Sequence, residues 1–298
     1  MKYNYTIVIP HHNNPELLEK CLDSIPVRED VAIIVVDDNS NPDLVDFDHF
    51  PGVGRKNTKV IFDKSGKGAG NARNIGLTNI EQTKWLLFAD SDDYFTPYLS
   101  EAMDKYVDSD ADQIYFKRLS VYVGTNEPAP RHQGANERID YVYKSRDYDR
   151  ILFKDLAPVC KFVNYDIVKN NHISFEPIRY SNDAMFFLLV SCNTSKVLID
   201  TNPIYVVTES KNSLMYTYNR EAIECRYYAA TRIAKVQRKV GKDKYHPNLF
   251  AYCYKFAKIN RFLPVMYFFK SLWYTSPKYI IKDISACVRA AIKKDYRN

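Results

Sequence analysis

The chain is short of the features that mark secreted, membrane-spanning and disulfide-stabilised proteins. Its 298 residues include 9 Gly and 6 Cys, and no stretch of about 18 uninterrupted apolar residues occurs. The cysteines form no C-x-x-C pair, which argues against a zinc site and a disulfide framework. The first ten residues are too short and too polar for a signal peptide. We therefore expect a folded cytoplasmic protein with reduced thiols.

Acidic residues are scarce at the carboxyl end. Residues 255–298 contain ten Lys or Arg against two Asp, interleaved with aromatic and aliphatic residues. Helices of this kind can lie on an anionic bilayer, so residues 245–298 are predicted to contact the inner face of the cell membrane. The alternative is a helical subdomain that packs its aromatic residues on protein, including a second copy in a homo-oligomer. No nucleic-acid motif accompanies these basic residues, and we expect no nucleic-acid partner.

Four short apolar runs precede residue 90, at residues 5–10, 31–36, 59–62 and 85–89. They are typical of strands buried on both faces, and the segments after the first, third and fourth runs have helical patterns. Strand and helix in alternation predict an open, mostly parallel α/β sheet, which binds ligands beyond the carboxyl ends of its strands.

The second half of the chain is more varied. We expect one or two strands in residues 112–124, a long polar loop in residues 125–150 and a buried helix over residues 182–192. Residues 196–209 resemble strand pieces broken at Pro203. The pattern is helical from residue 219 onward.

Three carboxylates stand at the end of the fourth run, from Asp90, Asp92 and Asp93. Such a cluster repels itself unless a cation or several hydrogen-bond donors neutralise it. Mg²⁺ or Mn²⁺ would suit these oxygen ligands and would leave coordination positions for substrate phosphates. The alternative is a solvated turn whose acids cap the next helix.

Neighbouring loops favour the phosphate interpretation. Asp38 ends the second run, and the loop after the third combines three glycines with Lys67 and Arg73. Glycines let backbone amides approach phosphate, and basic side chains neutralise it. The loop matches neither the P-loop nor the dinucleotide-binding pattern, so only the combination of loops indicates a nucleotide or sugar diphosphate.

Taken together, "YTIVIPHHN", "LLEKCLDSI", "AIIVVDDNS", "GNARNIGL" and "WLLFADSDD" resemble the amino-terminal half of family-2 inverting glycosyltransferases. The resemblance implies a GT-A fold, Rossmann-like, with helices flanking a mostly parallel sheet and a helical carboxyl-terminal extension. It implies a catalytic domain over residues 1–215, with a nucleotide-sugar-binding half (1–110) and an acceptor-side half (111–215). Residues 216–298 would form the basic, aromatic helical region.

The resemblance also implies roles for individual residues. Asp38 would accept a hydrogen bond from uracil, Arg73 would lie near the base and phosphates, and Asp90 and Asp92 would be the outer acids of the D-x-D motif. His12 stands where the family usually has Tyr. The nucleotide-sugar site implied is Pro10, His12, Asn13, Asp38, Lys67, Arg73, Asp90 and Ser91, with Asp92 and Asp93 as metal ligands.

The catalytic base is predicted to be Asp183, at the amino end of the helix that begins near Asn182. A helix amino terminus favours an ionised acid, and the family uses an Asp at this point after a Glu that is Asn182 here. The alternative is that Asp183 only caps its helix. Lys161 and Asn182 are predicted to contact acceptor or substrate.

The activity that follows is inverting, metal-dependent transfer of a sugar from a nucleotide diphosphate, with UDP expected, to a saccharide or lipid-linked saccharide in bacterial polysaccharide synthesis. A sugar-1-phosphate nucleotidyltransferase is a rival, but that class needs a Gly-rich, Arg-bearing loop after the first strand, where "PHHNN" stands. A non-catalytic nucleotide-binding scaffold is the second rival.

Overall fold

The computed structural model describes residues 2–125, 127–210 and 217–295. The chain divides into two compact units, residues 1–213 and 214–298. The domain boundary predicted at 215/216 lies outside the described residues. Each unit is built around its own hydrophobic core.

The four apolar runs form the first four strands of the larger unit, as predicted. β1 pairs with β2 and β4 and β2 pairs with β3, all in parallel, which brings their carboxyl ends to one edge. Crossover helices follow β1 and β3, and α3 follows the short strand β5. The bounds are β1 Tyr3–His11, α1 Pro15–Asp23, β2 Val31–Asp38, β3 Thr58–Asp63, α2 Ala69–Thr78, β4 Thr83–Phe88, β5 Tyr94–Phe95 and α3 Tyr98–Tyr106.

The second half of this unit extends the same sheet to eight strands in the order β3-β2-β1-β4-β7-β6-β8-β5. β7 runs antiparallel to β4 and β6, and β6 runs parallel to β8. The mixed α/β sheet flanked by helices confirms the predicted fold class. The bounds are β6 Gln113–Tyr122, α4 Gln133–Ser145, α5 Tyr148–Lys154, β7 Lys161–Asn164, α6 Tyr165–Asn170, α7 Asn182–Cys192 and β8 Val197–Glu209.

Two predictions for the second half were wrong. The polar loop expected in residues 125–150 contains helix α4, whose buried side is narrow and rests on Ile139 and Val142. Residues 196–209 form the single strand β8 instead of broken pieces. The pairing of β8 with β6 shifts in register between Phe116 and Arg118, opposite Pro203. This β-bulge accommodates the proline, which has no N–H to donate to the sheet.

Alternation along the strands divides the core between the two faces of the sheet. Tyr5, Ile7 and Ile9 of β1 belong to one cluster, whereas Val8 belongs to the cluster on the other face. On that second face Phe175 stacks on Phe186 of α7, with ring centroids 4.1 Å apart. This packing fixes the helix that begins at Asn182 against the sheet.

The smaller unit is helical, as predicted. Helix α8 begins after Asn219, whose side chain accepts a hydrogen bond from the Ala222 N–H. The core of this unit includes the stacked rings of Phe256 and Tyr267, whose centroids lie 3.7 Å apart. No helix within the described part of the chain is both long and apolar enough to cross a bilayer. The bounds are α8 Arg220–Lys239, α9 Ala251–Ala257, α10 Leu263–Tyr274 and α11 Pro277–Asp295.

Candidate functional site

The carboxyl ends of β1 and β2 are locked together by a buried pair. His11 Nδ1 lies 2.8 Å from Asp37 Oδ1, and both side chains are fully buried. The Asn14 N–H donates to His11 Nε2, so Nδ1 carries the proton that Asp37 accepts. Burial opposes ionisation of Asp37, but hydrogen bonds from His11 and Ser40 outweigh it and lower its pKa. His11 and Asp37 therefore hold the loops in place instead of facing a ligand.

His12 and Asn13 extend from the same loop on its exposed side. His12 Nδ1 donates to the Asp38 carbonyl at 2.9 Å, and the Asn13 amide lies 2.9 Å from His12 Nε2. Asn13 has φ 62° and accepts the Asn41 N–H on its side-chain oxygen. The structure thus brings both predicted residues to the end of β2, beside Asp38.

Asp38 is buried at the end of β2 and faces the glycine-rich loop. The Gly68 N–H donates to Asp38 Oδ2 at 2.7 Å, while Asp38 Oδ1 is buried without a hydrogen-bond partner. Burial raises the pKa of Asp38, and the Gly68 hydrogen bond opposes this rise. Lys67 is exposed just before Gly68, and Pro10 is buried in β1 opposite Val36. One buried oxygen of Asp38 thus has no hydrogen-bond partner among the described protein atoms.

Arg73 connects three separate parts of the site. This α2 residue is 5% exposed, and its guanidinium donates to Asp90 Oδ1 at 2.5 Å and to Asn182 Oδ1 at 3.3 Å. The guanidinium carbon lies 5.4 Å from the centroid of the Phe175 ring. A Cβ at Gly70 would lie 3.0 Å from Asn182 Cβ, which is tighter than an ordinary van der Waals contact. Glycine at this position therefore favours the close approach of α2 and α7.

The carboxylates of Asp92 and Asp93, in the acidic turn after β4, differ in their exposure to solvent. Asp92 is exposed beside Ser91, whereas Asp93 is buried and accepts the Thr208 N–H at 2.7 Å. Desolvation and the Asp90 charge raise the pKa of Asp92 to about 6, and the same causes raise the pKa of Asp93 well above its usual range. The described protein atoms therefore do not fully stabilise the ionised forms of Asp92 and Asp93.

Asp183 lies in the first turn of α7, after Ser181 in the left-handed region at φ 59°. Burial raises its pKa, the Arg73 charge lowers it and the Asp90 charge raises it again. The helix terminus was expected to keep this acid ionised, but desolvation opposes that effect. An elevated pKa makes the carboxylate a stronger proton acceptor. Asp183 therefore lies close enough to Arg73 and Asp90 for their charges to affect its pKa.

Lys161, predicted to contact acceptor or substrate, is buried at the start of β7. It is 2% exposed, and Nζ donates to the Asp155 carbonyl at 2.9 Å and lies 4.6 Å from the ring centroids of Tyr115 and Phe187. Desolvation lowers its pKa to about 8 despite the opposing charge of Asp155. Protein atoms therefore enclose the Lys161 side chain in this structure, and its contact with acceptor or substrate stays a prediction.

The donors fit a divalent cation only in part. Among residues 2–125, 127–210 and 217–295, no three His, Cys, Asp or Glu side chains converge in a metal-binding geometry. Magnesium-like ions usually take only one or two protein carboxylates and complete their coordination with water and phosphates. The exposed carboxylate of Asp92, crowded by Asp90, suits that mode of binding.

Two residues that stabilise the acidic turn were not predicted from the sequence. The Tyr205 hydroxyl accepts the Asp90 N–H at 2.9 Å, and the Thr208 hydroxyl donates to the Asp92 carbonyl at 2.6 Å. Both residues lie on β8, more than a hundred positions along the chain from the turn. No local pattern could have indicated them, since the pairing depends on the sheet order.

Comparison with known proteins places the chain in a family. The model of Glycosyl transferase family 2 matches residues 6–171, which includes the strand ends and Lys161. The chain is 26% identical over 223 residues to a poly(ribitol-phosphate) beta-glucosyltransferase of Bacillus spizizenii. The match covers 72% of this chain but only 34% of that protein's length.

Solved structures agree on the fold. The crystal structure of residues 1–349 of TarS from S. aureus, in complex with UDP-GlcNAc, matches with a TM-score of 0.66 and 21% identity over 87% of this chain and 75% of that one. The mannosyltransferase PcManGT from Pyrobaculum calidifontis, in complex with GDP-Man and Mn²⁺, matches with a TM-score of 0.59 and 13% identity. The match covers all of this chain and 83% of the PcManGT chain. The resemblance in the motifs is thereby confirmed, and the chain belongs to Glycosyl transferase family 2.

Proposed function

We propose that this protein transfers a sugar, with inversion, from a nucleotide diphosphate donor to a hydroxyl of a saccharide or lipid-linked saccharide in bacterial polysaccharide synthesis. UDP is the expected nucleotide. The observation that carries the proposal is that Asp38 and Asp90 stand at the carboxyl ends of parallel strands at one edge of the sheet. There Arg73 donates to Asp90 and to Asn182, the residue before Asp183. Neither a solvated turn nor a simple helix cap requires such an arrangement.

The proposal for the nucleotide rests on Asp38. Its unpartnered Oδ1 is a buried acceptor, and a buried carboxylate oxygen is costly unless a donor satisfies it. The N3–H of uracil is a suitable donor, and the neighbouring loop residues His12 and Asn13 can flank the ring. TarS, which has a similar fold, was solved with UDP-GlcNAc, which supports a nucleotide sugar as ligand.

The proposal for the chemistry rests on Asp183. The carboxylate removes the proton of the acceptor hydroxyl as its oxygen forms a bond to the anomeric carbon. The bond from that carbon to the diphosphate oxygen breaks, and the leaving diphosphate keeps the electron pair. Arg73 contacts both Asp90 and Asn182 and thereby fixes the position of the acidic turn relative to the start of α7.

A divalent cation would be held by Asp92, with Asp93 as the second predicted ligand. When bound there, Mn²⁺ or Mg²⁺ would offset negative charge on the departing diphosphate. Asp93 is the weaker ligand candidate, because one of its oxygens already accepts from Thr208. PcManGT, whose fold is similar, was solved with Mn²⁺.

The acceptor is proposed from the relatives. A poly(ribitol-phosphate) glucosyltransferase is among them, and this supports a bacterial surface polymer as acceptor. A growing polymer of this kind is often carried on a lipid, which would place the reaction at the inner face of the cell membrane.

A panel of nucleotide sugars with Mn²⁺ tests the proposal directly. We expect UDP-sugars to raise the melting temperature, and one of them to be consumed, slowly with water and faster with the correct acceptor. Binding of UDP without consumption of any donor would favour a non-catalytic scaffold. Release of pyrophosphate from UTP and a sugar 1-phosphate would favour a nucleotidyltransferase.

A further inference from the structure

Helix α10 of the smaller unit exposes a continuous stripe of large apolar side chains. Trp273 is 82% exposed and Phe269 is 65% exposed, whereas Tyr267 and Ser271 on the opposite side are buried. The spacing of the exposed residues follows the helical repeat, so they share one face. They are Phe262, Val265, Met266, Phe269 and Trp273.

Helix α11, which follows after two residues, has the same organisation. Ile281 is 80% exposed, and Val288 and Ile292 continue its stripe at i+7 and i+11. The inner side is fixed by Asp283, whose carboxylate lies 2.6 Å from His246 Nε2. The Asn248 amide also donates to the Asp283 carbonyl at 3.0 Å. The apolar stripe of α11 is thereby held on the outer side of this unit.

The charges around these stripes are mostly basic, although Lys278 pairs with Asp243 at 3.0 Å. Residues 244–282 contain seven Lys or Arg and no Asp or Glu. On α11, Lys278, Lys282 and Arg289 are exposed in a row beside the apolar stripe. Asp283, the first acid after this stretch, is buried against His246. A partner of these faces must therefore accept aromatic side chains and carry negative charge around them.

We propose that the exposed faces of α10 and α11 dock on an anionic lipid bilayer, with the apolar stripes among the acyl chains and the basic residues at the headgroups. Tryptophan is favoured at that interface, and basic side chains are attracted to anionic lipid. A second copy of the chain fits less well, because a symmetric contact would bring basic rows together. The inference concerns a surface outside the nucleotide site and does not depend on the proposed catalysis.

The two tryptophans of the chain make the docking measurable. Trp85 is fully buried in the sheet, so a change in emission on adding vesicles reports on Trp273. With vesicles of phosphatidylglycerol and phosphatidylcholine we expect a blue shift and co-sedimentation of the full chain. Vesicles of phosphatidylcholine alone should bind at least tenfold more weakly. Trp273→Phe should lose the blue shift but keep most of the co-sedimentation.

Matched variants separate the apolar and basic contributions. Phe269→Ser/Trp273→Ser should weaken vesicle binding about tenfold or more, whereas Val27→Ser, at an exposed apolar residue of the larger unit, should not change it. Lys282→Glu/Arg289→Glu should abolish the preference for anionic lipid. Lys144→Glu/Lys169→Glu, an equal charge change on exposed residues of the larger unit, should keep it.

Two results would overturn the inference. One is an unchanged Trp273 emission and no co-sedimentation with anionic vesicles. The other is a wild-type protein that binds no vesicles and forms a dimer, together with a Phe269→Ser/Trp273→Ser variant that sediments as a monomer. That result would make these faces an interface between copies. UDP binding in solution, measured on the same variants, reports separately on the nucleotide site and should be unchanged.

Discussion

The guanidinium of Arg73 lies 2.5 Å from the carboxylate of Asp90 and ties helix α2 to the acidic turn after β4. The Arg73 side chain is almost fully buried, whereas that of Asp90 is 38% exposed. The contact therefore lies at the border between the protein interior and the site. Because the same guanidinium also donates to Asn182, the arrangement of α2, the acidic turn and the start of α7 depends on one side chain.

Arg73→Lys should separate charge from geometry at this point. Lysine keeps the positive charge but cannot donate to Asp90 and Asn182 with the planar fork of arginine. We expect the free energy of unfolding to fall by about 1–3 kcal/mol, the cost of leaving a buried hydrogen-bonding group unsatisfied. UDP affinity should fall at least tenfold. Calorimetry and UDP titration measure both effects, and the exposed Arg150→Lys serves as the control. Wild-type UDP affinity in Arg73→Lys would contradict the proposed role.

Asp183→Asn should abolish transfer while leaving nucleotide binding intact. The amide is nearly isosteric but cannot accept the acceptor proton, so the rate should fall by a factor of about 10² to 10⁴. Asp166→Asn, an exposed first-turn acid of α6, is the control and should keep full activity. Turnover close to wild type in Asp183→Asn, with normal folding, would show that the residue only caps its helix.

Lys161→Met tests whether the buried charge of Lys161 keeps the proposed base Asp183 ionised. The positive charge of Lys161 favours the ionised form of Asp183, so its removal should raise the pKa of Asp183 further. Activity that needs the ionised base should then be lost at a higher pH, so that the acidic limb of the pH–rate profile moves to higher pH. The exposed Lys169→Met is the control. A raised KM for the acceptor, with no shift of the acidic limb, would instead support the predicted direct contact between Lys161 and the acceptor.

Asp93→Asn should stabilise the metal-free protein. Burial and the neighbouring acids raise the pKa of Asp93, so the native state binds more protons than the unfolded state above about pH 4 and loses stability as pH rises. The amide removes this repulsion and can still accept from Thr208. In EDTA we expect a higher melting temperature at pH 8, by about 2–4 °C for each kcal/mol gained, and no gain at pH 4. A lower melting temperature at pH 8 would mean that the Asp93 charge is needed.

Much of the larger unit follows from local sequence patterns. The four apolar runs and the helix from Asn182 to Cys192 were predicted closely, because strands buried on both faces and a buried helix leave unbroken apolar segments. Helix α4 was missed because only Ile139 and Val142 are buried among its polar residues. The continuity of β8 was missed because a proline normally ends a ladder, and the bulge at Pro203 depends on β6.

The contacts among the predicted site residues could not be inferred from the sequence. Sequence patterns indicated Asp38, Arg73, Asp90 and Asp183 without showing that Arg73 joins Asp90 to Asn182. The different environments of Asp92 and Asp93 also depend on Thr208, 115 residues from Asp93. Such pairings are set by strand order and packing, which no local window contains. The burial of Lys161 was hidden for the same reason.

The most direct test of the account is UDP binding measured by calorimetry with and without Mn²⁺. For the wild type we expect Mn²⁺ to strengthen UDP binding at least tenfold at pH 7.5, with the gain declining as pH falls through about 6, where Asp92 takes up a proton. Asp92→Ala should lose the gain, while the weaker metal-free binding remains. Equal UDP affinity with Mn²⁺ and EDTA, or an undiminished gain in Asp92→Ala, would contradict a cation held against the diphosphate by the acidic turn.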